Sequence, residues 1–104
     1  MASLLRLSDD SVVFVNCDVL EHELTKSDRV SHDRKRLTVK RSTDDCATWT
    51  ASRIIEPGPS SYSDLAQNGD GLVCCLYEDQ MVERQNDTKY VTCSRFDVDW
   101  ILRG

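Results

Sequence analysis

RKRLTVKRSTDDCATWTASRIIEPGPSSYSDL, residues Arg34–Leu65, is the stretch on which the fold of this chain turns. From Arg36 to Arg41 the residues alternate, with Leu37 and Val39 on one side and Thr38 and Lys40 on the other, as in a half-buried strand. Ser42 to Thr48 reads as a turn and Trp49 to Glu56 as the returning strand, carrying Ile54 and Ile55. Pro57-Gly58-Pro59 is expected to end that strand, because each proline removes a donor from the ladder. A new strand then starts at Tyr62 and runs to Gln67.

Before this stretch, Ser3–Leu7 and Val12–Cys17 are short apolar runs parted by the polar turn Ser8-Asp9-Asp10-Ser11. They read as a hairpin whose second strand, VVFVNC, is apolar on both faces and therefore buried. Asp18 to Asp33 is polar and irregular, a loop of a length that compact domains use mainly where it is disordered or functional. After it, Asn68-Gly69-Asp70-Gly71 is the strongest hairpin signal, both glycines being expected to supply positive φ, and it leads into the apolar strand LVCCLYE. A second polar loop, Asp79 to Lys89, precedes a last strand from Tyr90 to Val98.

The count is about seven short strands with close turns and no convincing helix, which is an all-β pattern. Four strands begin near Ser3, Val12, Arg36 and Trp49, and three near Tyr62, Leu72 and Tyr90. Antiparallel blades of a β-propeller have four strands each, so residues 1–56 read as one blade and 57–104 as a last blade lacking its closing strand. Such a unit cannot cover its own apolar faces, and the deficit points to a piece of a larger protein.

The chain has 104 residues and a formal charge of -5, which speaks against general nucleic-acid binding, since that requires surplus Lys and Arg to displace counterions. Its cations are concentrated locally: Arg29, Arg34, Lys35, Arg36, Lys40 and Arg41 face only Asp33 in that segment, a pattern suited to a small anion. The five cysteines, Cys17, Cys46, Cys74, Cys75 and Cys93, form no C-x-x-C and no metal-like spacing with His22 or His32. Cys74 and Cys75 face opposite sides of one strand, and all five are expected to be reduced, small apolar core residues, which leans toward a reducing compartment. MASLLRLSDD lacks a basic region followed by a long apolar run, and nothing approaches the ~18 apolar residues of a membrane span. No metal or other cofactor is implied.

Ser42-Thr43-Asp44-Asp45-Cys46-Ala47-Thr48-Trp49 fits S-x-D-x-G-x-T-W at every specified position except the glycine, which is Cys46. Ser42 and Asp44 are short acceptors that can bond the turn's own amides, and Trp49 is expected to plug the hairpin from beneath. Glycine usually serves where φ is positive, so Cys46 implies either a small strain or an altered turn. This pattern resembles the Asp-box of sialidases and other β-propellers, where its role is structural.

The resemblance extends over nearly the whole chain. ASLLRL, R-x-x-L-T-V from Arg34 to Val39, the Asp-box, PGPSSYSDLA, LVCCLYED and SRFDVDWI stand in the order found in the C-terminal part of bacterial-type exo-α-sialidases, which are six-bladed propellers. The resemblance implies that Arg34 is the third member of the arginine triad that clamps the sialic acid carboxylate. A guanidinium fork suits that task, pairing bidentately and staying charged. It also implies that Tyr62 is the catalytic nucleophile; a tyrosine nucleophile is a known exception to the carboxylate pair of glycosidases. A phenol deprotonated only as it attacks avoids repulsion from the substrate's carboxylate, and with an ordinary pKa of ~10 it needs a base partner. Glu78, in LYED, matches the acidic residue that buttresses the first arginine of the triad.

By residue type alone, Arg34 would be a solvated cation, Tyr62 a packing residue and Glu78 a solvated strand-end carboxylate. Asp64 shares the strand face of Tyr62 and has no assigned role. The family's first two arginines, its acid/base aspartate and its base glutamate have no counterpart here and would lie before Met1. The expected function is release of terminal sialic acid from glycoconjugates by a retaining mechanism, with the isolated chain inactive because such groups act as a unit. The expected partners are sialylated glycans and the remaining blades of a parent chain. The competing reading is a non-catalytic Asp-box propeller or a sialic-acid- or glycan-binding module.

Overall fold

The computed structural model of the chain describes residues 2–18, 35–82 and 87–104. Six antiparallel strands stand side by side in chain order: β1 (Ala2–Arg6), β2 (Val12–Cys17), β3 (Lys35–Ser42), β4 (Ala51–Gln67), β5 (Val73–Val82) and β6 (Asp87–Phe96). A short helix, α1 (Val98–Leu102), follows. The chain is all-β, and its strands curl into a half-barrel compatible with partial propeller blades.

The β1–β2 hairpin closes as its polar turn demands. Leu7 N donates to Ser11 O at 2.8 Å, and Asp9 Oδ1 accepts from both the amide and the hydroxyl of Ser11. VVFVNC then buries Val12, Val13 and Val15, while Phe14 stays half-buried. The core lies inside the curl. Val13 and Val15 of β2 meet Leu37 and Val39 of β3, and Leu65, Val73, Cys75, Tyr77 and Phe96 come from the second half of the sheet. Each fully buried aliphatic side chain of this kind contributes roughly 1.5–3 kcal/mol.

One expected break is absent. Trp49–Glu56 and Tyr62–Gln67 are not two strands separated by Pro57-Gly58-Pro59; residues 51–67 form the single strand β4, with Trp49 and Thr50 before its start. The prolines are tolerated because β4 changes partner there. Up to Pro59, opposite Lys35, it pairs with β3; from Ser60, opposite Asp79, it pairs with β5. The ladder is already interrupted at this changeover by register shifts on both sides, so a missing amide donor costs little. Arg36, at the shift on the β3 side, adopts φ 57.

The expected loop from Asp79 to Lys89 is also shorter than its polarity suggests. β5 continues to Val82 and β6 begins at Asp87, with Asp79 paired to Tyr90 and Met81 to Thr88, so ladder hydrogen bonds form irrespective of side-chain polarity. The Asn68–Gly71 turn is as expected in place, with Asn68 Oδ1 accepting from the amides of Asp70 and Leu72, although only Gly71 takes a positive φ, 82. The polar stretch expected to be a loop lies outside the described residues, apart from Asp18.

The last strand ends at Phe96 rather than Val98, and α1 was not foreseen, since five residues hold too little periodicity to register. Asp97 caps it by accepting from Trp100 N at 2.8 Å. The Arg53 guanidinium lies 4.1 Å from the centre of the Trp100 ring and donates to Trp100 O, while Ile101 plugs the open end of the core.

All five cysteines are free thiols, but they are not all core residues. Cys75 is buried, Cys17, Cys46 and Cys74 are half-buried, and Cys93 is exposed on the outer face of β6. Cys74 and Cys75 do take opposite faces. Burial pushes the Cys75 thiol up to about 12 and also raises Tyr77. Both groups therefore hold protons that the unfolded chain releases from ~8.5 upward. Their contribution to stability is complete below that pH and is lost as the pH rises through the folded-state values. The expected result is a urea midpoint that falls between pH 8 and pH 10, with maleimide labelling Cys93 first and Cys75 only on unfolding.

Candidate functional site

The corner of β4 decides where its polar side chains go. Ser60 and Ser61 are both buried between the exposed Pro59 and Tyr62, so the in–out alternation of β4 slips by one residue here. The register shift between Ser60 and Ser63 accommodates them and rotates Tyr62 outward, where it is 59% exposed. Asp64, two residues on, shares that outer face. Asp64 stands opposite Leu76 of β5, and Leu76 opposite Cys93 of β6; the next outward position of β5 is Glu78, opposite Val91. Tyr62, Asp64, Leu76, Glu78 and Val91 thus line one shallow depression of about 240 Å³.

Two of the residues expected at the site, Tyr62 and Glu78, are therefore brought together, with Asp64 beside them. The expected clamp, Arg34, lies outside the described residues; the next residue, Lys35, pairs with Pro59 at the same corner. His22 and His32 also lie outside them. Leu76 and Val91 were not singled out from the sequence. For Leu76 the only signal is the alternation 74, 76, 78 within a run apolar enough to read as buried on both faces.

The depression is smaller than the ~300–1,000 Å³ of a typical small-molecule site and is open to solvent. Among the described residues no group of three His, Cys, Asp or Glu side chains is arranged to hold a metal ion. No helix among them is long and apolar enough to cross a membrane.

The patterned turn sits at the other end of β3, about 25 Å away at ~3.3 Å per residue. Asp44 organises it: Oδ1 accepts from Thr48 N at 2.8 Å and from Ser42 Oγ at 2.8 Å, and Oδ2 accepts from Thr48 Oγ1 at 2.5 Å. Ser42, fully buried, accepts in turn from Cys46 N at 2.9 Å. Arg6, bonded to Asp45 at 2.9 Å, ties the turn to the first hairpin. Trp49 does not plug the hairpin from beneath; it is 39% exposed and leans on Phe14 with ring centres 5.7 Å apart, because it precedes β4 and stays on the outer face.

Hydrogen bonds from Thr48, then from Ser42, hold the Asp44 carboxyl at about 2. Its contribution is present above the ordinary carboxylate value of ~3.9 and is lost as the pH falls through about 2. The Thr48 amide resonance is expected to move with that midpoint, and to lose the transition in Asp44→Asn. Cys46 adopts φ 72, so the expected strain at the glycine position is present. Cys46→Gly should stabilise the fold by about 1 kcal/mol, read from the denaturation midpoint.

Comparison with protein-family profiles finds no match. Among curated proteins, a sialidase of Micromonospora viridifaciens is 42% identical over 45 residues, which take in 43% of this chain and 7% of that protein. The chain thus contains a short segment similar to a sialidase and corresponds to a small part of that relative's length.

Proposed function

We propose that the chain is the C-terminal part of an exo-α-sialidase-type glycosidase, in which Tyr62 attacks the anomeric carbon of a terminal sialic acid. The observation that carries this reading is the meeting of Tyr62 and Glu78 on one outward face, produced by the register shift at Ser60–Ser63. The sialidase-like segment supports it. The small, open depression suits half of a site whose remaining wall comes from other blades.

In this reading the Tyr62 phenol gives its proton to a glutamate supplied from outside the chain as its oxygen bonds to the anomeric carbon. The aglycone leaves with a proton from an aspartate, also supplied from outside, and water then releases the sugar with retained configuration. Arg34 pairs bidentately with the substrate carboxylate. Glu78 holds another arginine of the clamp. The 42–49 turn is an Asp-box, structural and remote from substrate. One blade covers residues 1–56 and the next 57–104, with β4 crossing between them where it changes partner.

The test is cleavage of a fluorogenic sialoside. The 104-residue chain alone is expected to be inactive. A longer reading frame that adds two arginines, an aspartate and a glutamate upstream is expected to be active. Absence of cleavage in that longer protein, with glycan binding retained, would establish a sialic-acid-binding propeller instead.

A further inference from the structure

The inner face of β4–β6 changes character along its length. Toward the Asn68–Gly71 turn it is apolar, with Leu65 opposite Cys75 and Val73 opposite Phe96 in the core. Toward the corner of β4 it is polar: Ser63 stands opposite Tyr77 and Tyr77 opposite Thr92, and in the next row Ser60 stands opposite Asp79. Asp79 is 7% exposed and Ser60 is fully buried. Thr92 Oγ1 donates to Asp79 Oδ2 at 3.3 Å, whereas Asp79 Oδ1 and Ser63 Oγ, in adjacent rows, are buried with no hydrogen-bond partner. A carboxylate taken out of water with one oxygen unspent is costly, and that oxygen calls for a donor or a cation. A second carboxylate is tied to the same place. Glu56 Oε2 accepts from Gly58 N at 3.1 Å, and Gly58 O accepts from Ser60 Oγ at 3.3 Å, which links Glu56 to the residue facing Asp79. Burial raises Tyr77, and the charges of Glu56 and then Asp79 reinforce that shift, so both carboxylates lie within electrostatic reach of its hydroxyl.

We propose that this polar end of the inner face is a cation site, taking a hard divalent ion of the calcium class on Asp79 and Glu56, with Ser63 Oγ and the Tyr77 hydroxyl as neutral ligands. Two carboxylates match the charge of a divalent ion. Calcium accepts oxygen ligands in flexible geometry, so hydroxyls and waters can complete its shell; magnesium demands a stricter octahedron, and a zinc-type ion seeks nitrogen or sulfur. The donor set holds two acidic side chains and neutral oxygens, and so differs from the groups of three His, Cys, Asp or Glu that are absent among the described residues. The unspent Asp79 Oδ1 and Ser63 Oγ are then satisfied by one guest. The inference does not rest on the glycosidase reading.

Terbium, a luminescent stand-in for calcium, reads the site directly. In the wild-type chain, excitation of the aromatic residues is expected to sensitise terbium emission that saturates at a single ion per chain and that added calcium displaces. Calcium should also raise the thermal unfolding midpoint in step with its concentration. Asp79→Asn and Glu56→Gln should each weaken calcium binding about tenfold or more, whereas Asp70→Asn, the same loss of charge on the exposed Asn68–Gly71 turn, leaves it unchanged. Without metal, Asp79→Asn is expected to unfold at or above the wild-type midpoint, because it removes an unpaired buried charge; with saturating calcium the order reverses. A carboxylate with a structural role alone gives no such reversal. A wild-type chain with neither saturable emission nor a calcium-dependent midpoint would overturn the proposal. So would Asp70→Asn losing as much affinity as Asp79→Asn.

Discussion

Replacing Tyr62 by phenylalanine, in a protein that adds the upstream blades, is expected to lower sialoside cleavage by several orders of magnitude while leaving substrate affinity nearly unchanged. The change removes one oxygen from a side chain on the outer face of β4, 59% exposed and outside the core cluster, so the fold has little reason to respond. On the proposed reading the change removes the nucleophile, and groups that act as a unit lose most of their rate with any one member. Arg34→Ala should differ in kind, raising KM as well as lowering kcat, because a carboxylate clamp acts in the ground state too. Steady-state kinetics on the two variants separates the roles. Wild-type turnover in Tyr62→Phe would remove the nucleophile assignment.

Leu37→Ala is expected to cost about 2–5 kcal/mol, a large share of the ~5–15 kcal/mol that holds a domain together. Leu37 is fully buried, flanked in the core by Val15 and Val39, and it stands at a register shift where β3 turns toward the corner of β4. Ile54→Ala, on the opposite face and 37% exposed, should cost roughly 1 kcal/mol or less. Urea denaturation reads both as a shift in midpoint with an unchanged slope.

The strands that alternate, or that carry β-branched residues between polar turns, were legible without coordinates: VVFVNC, RLTVKR and LVCCLYE each lie within or along a strand. Residues whose surroundings depend on distant partners were misread. Pro57 and Pro59 look like terminators because sequence shows the missing donors but not that β4 exchanges β3 for β5 at that point. Trp49 looks like a plug because its type favours burial, while its place before β4 leaves it against Phe14 in partial contact with solvent. Cys93 looks like a core thiol for the same reason, yet the pairing of β6 turns it outward.

The stretch from Arg34 to Leu65 shows the division most clearly. Its sequence alone determined a strand, a hydrogen-bonded turn around Asp44 and a second strand, because those features arise from contacts between residues a few positions apart. Sequence also singled out Tyr62 and Glu78, but as separate residues on separate strands. Only the tertiary structure decided that they share a face. That outcome depends on a register shift at Ser60–Ser63, and a shift of one residue reverses which side of the sheet every following side chain takes.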